Sequence, residues 1–178
     1  MSTLTYHVGI SLDGFIAQRD HSITGFLMTG PHVDDFVASL AEHDTVLMGR
    51  RTYEFGVRQG VTSPFPHLRQ VVASSTWSGP VDPAVEVVAG DVVALATALK
   101  RASRAGVWLC GGGALAGALL AAGLIDRVEV KLYPVVLGAG VPMFGDVAAT
   151  RALALREHRA YPNGVQRLRY AVAPAPTD

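Results

Sequence analysis

A single cysteine, Cys110, stands among 178 residues. One thiol cannot form an internal disulfide, and a reducing compartment is the simpler setting. Nor can it complete the H-x-E with P-C-x-x-C zinc pattern of the nucleobase deaminases. Charge is also scarce, at 17% of residues, and it cancels: 15 Lys plus Arg against 15 Asp plus Glu. A chain without basic excess is poorly suited to DNA, although a few local arginines suffice for one small anionic cofactor. No apolar run reaches the length of a membrane helix. The start, Met1 to Ser11, lacks a basic segment followed by a long apolar core. The expectation is a soluble, cytoplasmic protein with no metal centre, no nucleic-acid partner and no membrane contact. Repeats and low-complexity stretches are missing, apart from an Ala/Pro-rich tail at residues 171–178.

What is present is a globular composition, 49% hydrophobic, in a length that suits one domain over residues 1–178, with a loose tail at 173–178. Its organising stretch is Val107 to Leu120, VWLCGGGALAGALL. A short apolar run of buried-strand type meets three consecutive glycines, Gly111, Gly112 and Gly113, and then a helix-forming run through Ala122. Leu115 and Leu119, four apart, share a helix face. A strand that turns into a helix through glycines leaves N–H groups unpaired at the positive end of the helix dipole, a good place for an anion. The glycines fit a phosphate cradle, and they fit equally a tight turn with no ligand.

The remaining chain alternates strand and helix signals. Leu4 to Leu12 has strand character and breaks at Asp13-Gly14, first of all a turn former. Phe15 to Ala17 resumes it. Residues 18–31 form a turn-prone loop able to lie over a site. His32 to Glu42 has the spacing of an amphipathic helix with Phe36, Val37, Leu40 and Ala41 as its apolar face. Asp34 and Asp35 fall in its first turn, where carboxylates suit the dipole. Thr45 to Met48 predicts a buried strand. Gly49-Arg50-Arg51-Thr52 follows as a second strand–glycine–helix junction, with arginines able to pair with phosphate. Further strands are predicted at Gln70–Ala73, ending at Ser74-Ser75-Thr76, and at Val85–Val88. A helix capped by Asp91 runs to about Ser103. Gly123 closes the helix after the cradle. Arg127 to Val136 alternates, with Val128, Val130 and Leu132 on one face and Glu129, Lys131 and Tyr133 on the other. Asn163-Gly164 predicts a hairpin between Leu153–Tyr161 and Val165–Val172. The fold class is α/β, with a mixed, mainly parallel central sheet flanked by helices and a C-terminal antiparallel hairpin.

Several segments, in this order, resemble the dihydrofolate reductase superfamily, most of all the reductase domain at the C-terminus of the bifunctional deaminase-reductase of riboflavin biosynthesis. They are Ser11 to Ala17 (SLDGFIA), Met48 to Glu54 (MGRRTYE), Ser74-Ser75, Gly111 to Gly113, Gly123 to Asp126 (GLID), Pro134 to Gly140 (PVVLGAG) and Phe144. The resemblance implies a dihydrofolate reductase-like fold and NADPH as cofactor. It places Gly49, Arg50 and Thr52 toward the pyrophosphate and the 2′-phosphate side, and Ser74 with Ser75 near the 2′-phosphate. It also places Gly111, Gly112, Gly113, Ala114 and Leu115 around the pyrophosphate, and Ile16 and Ala17 beside the nicotinamide. A homodimer is implied as well, since this branch often pairs subunits. The family usually carries an acidic residue after Asp126, where this chain has Arg127.

The expected activity is hydride transfer from NADPH to a C=N or C=O group of a small pterin- or riboflavin-precursor-like heterocycle. The cofactor supplies the chemistry and the protein supplies position. Reduction also consumes a proton, for which Asp34 is the first candidate, Asp35 the second and Asp13 the third. Lys131, on the strand bordering the substrate side, suits contact with an anionic or carbonyl group. Two rivals stand beside this. One is a Rossmann dehydrogenase, since Gly111-x-Gly113-x-x-Ala116 fits G-x-G-x-x-A, but that fingerprint belongs after a first strand. The other is a nucleotide-binding or scaffold protein that has lost catalysis.

Overall fold

The computed structural model describes residues 1–145, 147 and 150–173. The tail expected at 173–178 therefore lies, from residue 174 on, outside the described residues. Among the described residues, ten strands and four α-helices follow one another: β1 (Thr3–Ser11), β2 (Phe15–Ala17), α1 (Pro31–Ser39), β3 (Thr45–Gly49), α2 (Arg50–Arg58), β4 (Arg69–Ala73), β5 (Val85–Val88), α3 (Val92–Ala102), β6 (Gly106–Gly111), α4 (Gly113–Ala121), β7 (Arg127–Tyr133), β8 (Val141–Pro142), β9 (Leu153–Ala160) and β10 (Gln166–Val172). Eight strands form one sheet in the order β5-β4-β3-β6-β1-β7-β10-β9, while β2 pairs with β8. The six strands from β5 to β7 are parallel; β10 lies antiparallel to both neighbours. This is the mainly parallel sheet with a closing hairpin that the sequence predicts.

The connections explain the two layers of helix. From β1 the chain steps one way along the sheet, to β3, β4 and β5, and then returns to β6 and β7. Right-handed crossovers put helices of opposite steps on opposite faces. One core accordingly gathers Leu40, Met48, Tyr53 and Trp108 with Phe36 of α1. The other gathers Tyr6, Leu47, Ala96, Leu99, Leu109, Leu119 and Val130 under α3 and α4. The direction reverses around β1 and β6, and in such open sheets the crevice at the carboxyl ends of the strands there is the place for a ligand.

Local departures have physical causes. Helix α1 ends at Ser39 and continues as one 3₁₀ turn, Leu40–Glu42. Its apolar face differs from the predicted one. Val37 is 59% exposed, whereas His32 is buried. The His32 ring accounts for this: its Nε2 meets the Leu27 carbonyl at 2.9 Å, its Nδ1 meets Asn163 Nδ2 at 3.0 Å, and it packs edge-on to Tyr133 and Tyr161. A hydrogen-bonded imidazole fills a core place that a count of apolar residues assigns elsewhere. Strand β7 stops at Tyr133 rather than Val136 because Pro134 has no N–H to continue the ladder. The hairpin turn closes through Tyr161 N–H to Val165 O at 2.9 Å and Gly164 N–H to Tyr161 O at 2.9 Å. Strand β9 is exposed along its whole length and forms one edge of the sheet. On β7, Glu129 is buried and accepts from Arg167 Nε and Arg169 Nε, each at 2.7 Å, which ties β10 to β7. Among the described residues, no helix is long and apolar enough to cross a membrane.

Candidate active site

A cavity of about 690 Å³ opens at the carboxyl ends of β1, β3, β6 and β7. That volume lies within the range of small-molecule and cofactor sites. Two strand–helix junctions form one wall. At the first, β3 runs through Gly49 straight into α2; at the second, β6 runs through Gly111 and Gly112 into α4. The two junctions touch. A Cβ on Gly49 would come 3.3 Å from Gly112 N and 3.4 Å from Gly111 O. Gly111 has φ +134°, a backbone conformation that L side chains rarely adopt. A Cβ on Gly113 would collide with the Pro142 carbonyl oxygen. Thr52 Oγ1 lies 3.5 Å from the place a Cβ on Gly111 would take.

Neither α2 nor α4 has a side-chain cap. Their first-turn N–H groups remain available, and the positive ends of two helix dipoles converge on one cavity. Arg50, Arg51 and Thr52 line it from α2; Gly111, Gly112, Gly113, Ala114 and Leu115 line it from β6 and α4. The donor set suits an anionic group such as a pyrophosphate, which backbone N–H groups at glycine turns can approach closely. Ten of the twelve expected cofactor residues lie in one wall or another of the cavity, Ile16, Ala17 and Gly49 among them. Leu115 and Thr52 complete that group, whereas Arg50 is divided: its guanidinium also meets Glu54 at 3.2 Å. Ser74 and Ser75 are not in the lining. They follow Ala73, which is, and Ser74 Oγ accepts from Thr76 N–H at 3.2 Å.

Lys131 is the one ammonium among the described lining residues. It projects from β7, with its ammonium 3.8 Å from the centre of the Phe36 ring. Burial is the largest influence on it and lowers its pKa to about 8, while Cys110 and Glu129 act in the opposite direction. Burial likewise pushes the Cys110 thiol and the Tyr133 hydroxyl up to about 12, so both are neutral at ordinary pH.

The three candidate carboxylates are not brought to this cavity. Asp13 is exposed and accepts from Leu137 N–H at 3.1 Å and Gly138 N–H at 2.7 Å, pinning the turn after β1 to the loop after β7. Hydrogen bonds, first that of Ser11, hold its carboxyl below the usual range. Asp35 pairs with Arg159 and accepts from Tyr161 Oη at 2.6 Å, which anchors α1 to the hairpin. Asp34 is exposed on the first turn of α1. Sequence reasoning missed His21, Ile23, Phe26 and Met28, which cover the cavity from the loop before α1, and Phe55 of α2. The turn-prone composition of residues 18–31 signals a covering loop without saying which side chains point inward.

Residues 2–167 match the family described as the RibD C-terminal domain. The chain belongs to the RibD C-terminal domain family. Two Bacillus subtilis proteins are similar along nearly their whole lengths. Uncharacterized protein YwjB is 28% identical, over 90% of this chain and 92% of its own. Uncharacterized protein YyaP is 25% identical, over 92% of this chain and 91% of its own. Among solved structures, a putative riboflavin biosynthesis protein from Shewanella sp. PV-4 superposes with a TM-score of 0.83 at 22% identity, covering 97% of this chain and 99% of that one. The Thermotoga maritima diaminohydroxyphosphoribosylaminopyrimidine deaminase/5-amino-6-(5-phosphoribosylamino)uracil reductase gives a TM-score of 0.70 at 16% identity. This chain is covered to 98% and spans 57% of that longer protein. At such identities these structures establish the RibD-like reductase fold. Arg127, at the position where the sequence resemblance leads one to expect an acid, is exposed at the start of β7 and is absent from the described cavity lining.

Proposed function

We propose that this protein is an NADPH-dependent reductase that transfers a hydride to a C=N or C=O group of a small planar heterocycle of the pterin or riboflavin-precursor kind. The observation that carries this is the meeting of two uncapped helix starts, through Gly49 and Gly111 to Gly113, in the same cavity as Lys131. Membership of the RibD C-terminal domain family supports a reductase role.

In this reading the first-turn N–H groups of α4 hold the pyrophosphate, helped by Thr52, and Arg50 with the Ser74–Ser75 turn takes the 2′-phosphate. Ile16 and Ala17 lie against the nicotinamide. When bound, NADPH supplies the hydride. The chain's own contribution is position and exclusion of water: Ile23, Phe26 and Phe55 close an apolar chamber around the reacting atoms. In this reading Asp13 holds a turn, Asp35 ties α1 to the hairpin, Asp34 is an exposed helix-start residue, and none of the three takes part in the reaction.

Titration with NADPH and, in parallel, NADH, followed by nucleotide fluorescence, tests this reading. The expected result is tight NADPH binding and weak NADH binding, with NADPH oxidised when a suitable heterocycle is added. Retention of NADPH without oxidation across such heterocycles would favour a nucleotide-binding protein. Binding of neither nucleotide would end the cofactor assignment.

A further inference from the structure

Of the 15 basic residues, only Lys100 and Lys131 are lysines; the others are arginines. The two are used differently. Lys100 Nζ is held by Asp126 Oδ2 at 2.6 Å and by the Leu124 carbonyl at 2.9 Å. Lys131 has no carboxylate and no hydrogen-bond acceptor on its ammonium among the described residues; it faces the Phe36 ring. No Asp or Glu lines the cavity among the described residues. Hydride addition to C=N or C=O nevertheless needs a proton on the heteroatom. A guanidinium serves as a binding group rather than a proton donor, which leaves Arg50 and Arg51 of the lining as anion ligands.

We propose that Lys131 is the acid of this site, donating the proton that complements the hydride. This rests on the reductase reading above. The carbon of the substrate C=N gains the hydride, the π pair moves to nitrogen, and that nitrogen takes a proton from Nζ as the Nζ–H bond breaks. NADPH is oxidised to NADP⁺ and the C=N bond is reduced by two electrons. The neutral amine regains its proton from water at the cavity mouth. In the sheet order, β7 is two strands from β6, so the backbone that carries Lys131 runs roughly 10 Å from that of β6. The space between Lys131 and the glycine cradle receives the reacting rings.

The groups around Lys131 suit this role. On β6, Cys110 is neutral at ordinary pH; on β7, Tyr133 is neutral and Glu129 is engaged by Arg167 and Arg169 of β10. On β1, His7 is buried and held well below its ordinary pKa, first by desolvation and then by Lys131 itself. Phe36 of α1 steadies the cationic form through its ring face. His21 and the rim arginines enter from the covering loop and α2. An ammonium poised near neutrality both polarises an acceptor and gives up a proton, whereas a guanidinium can only polarise. The substrate must therefore present a hydrogen-bond acceptor at the reducible bond, not an amino-amidine edge that calls for a carboxylate.

The probe is quinoxalin-2-one, a planar cyclic imine with a carbonyl beside its C=N. Protein grown on ¹⁵N-lysine carries two labelled side chains, and Lys131→Met identifies the signal of Lys131. That signal should titrate near pH 8 and move to higher pH by about tenfold in proton affinity when NADP⁺ and the probe bind. NADPH-dependent reduction of the probe should fall as pH passes 8, where the acid form is lost. Lys131→Met should reduce the rate by about 100-fold or more with NADPH affinity unchanged. Lys131→Arg should keep probe binding but not the rate. A Lys131 signal that titrates like free lysine and ignores the probe would overturn the assignment, as would a Lys131→Met variant with wild-type rate. Failure of NADP⁺ to bind while Lys131 still titrates near 8 would instead overturn the reductase reading on which the proposal rests.

Discussion

Helices α3 and α4 lie side by side on one face of the sheet, and each begins after a glycine-containing turn, but their starts are finished differently. At α3, Asp91 turns its carboxylate inward and accepts from Val93 N–H at 2.8 Å and Ala94 N–H at 3.4 Å. At α4 the same position is Gly112, which has no side chain to offer. Asp91 completes its helix with the chain's own charge. Gly112 leaves the equivalent donors facing a cavity, open to water or to an external anion. The difference separates a helix start closed by its own side chain from one left open, and α2, entered through Gly49 without a cap, belongs with the second kind.

Transplanting the cap is the strongest test of that contrast. Gly112→Asp places a carboxylate where the pyrophosphate is proposed to lie, and space exists for it: only Thr52 Oγ1, at 3.7 Å, approaches a Cβ there. Nucleotide fluorescence should show NADPH affinity falling by about 100-fold or more, since like charges in contact cost several kcal/mol. Gly112→Ala, equal in backbone and without the charge, should lose far less. Unchanged affinity in Gly112→Asp would make the glycine turn merely structural. Arg50→Ala comes next: about a tenfold loss for NADPH with NADH binding unaltered, because the guanidinium is assigned to the 2′-phosphate alone. Equal losses for both nucleotides would move Arg50 to the pyrophosphate. Asp91→Ala should have the smallest effect, about 1 kcal/mol of stability, visible as a melting point lower by about 2–4 °C, with nucleotide affinity untouched.

The contrast between the two starts also shows what could be seen in the sequence. The Gly111–Gly113 run and the Gly90-Asp91 pair are local: the residue types that make an open or a capped start sit next to each other in the chain. Lys131 was legible for a related reason, since period-2 alternation assigns it a face of β7. The carboxylates were not. Asp35 is engaged by Tyr161, 126 residues away, and Asp13 by Gly138, 125 residues away. Such partners exist only once the hairpin and the loop after β7 have folded back. His32 was hidden because an imidazole counts as polar until its two ring nitrogens find acceptor and donor from distant segments. The residues over the cavity, His21 to Met28, lack any period because a covering loop follows the shape beneath it rather than a repeat of its own.

The exposed edge strand β9 has a consequence for the protein in a crowded solution. An unpaired strand edge is a template on which another chain can add, and it offers a row of free N–H and C=O groups. Arg156, Glu157, His158 and Arg159 stand consecutively on this edge, and all four are exposed. A second chain laid against them must strip water from ionic groups before it gains a single backbone hydrogen bond. The charge that the chain otherwise uses so sparingly is spent here on ending the sheet.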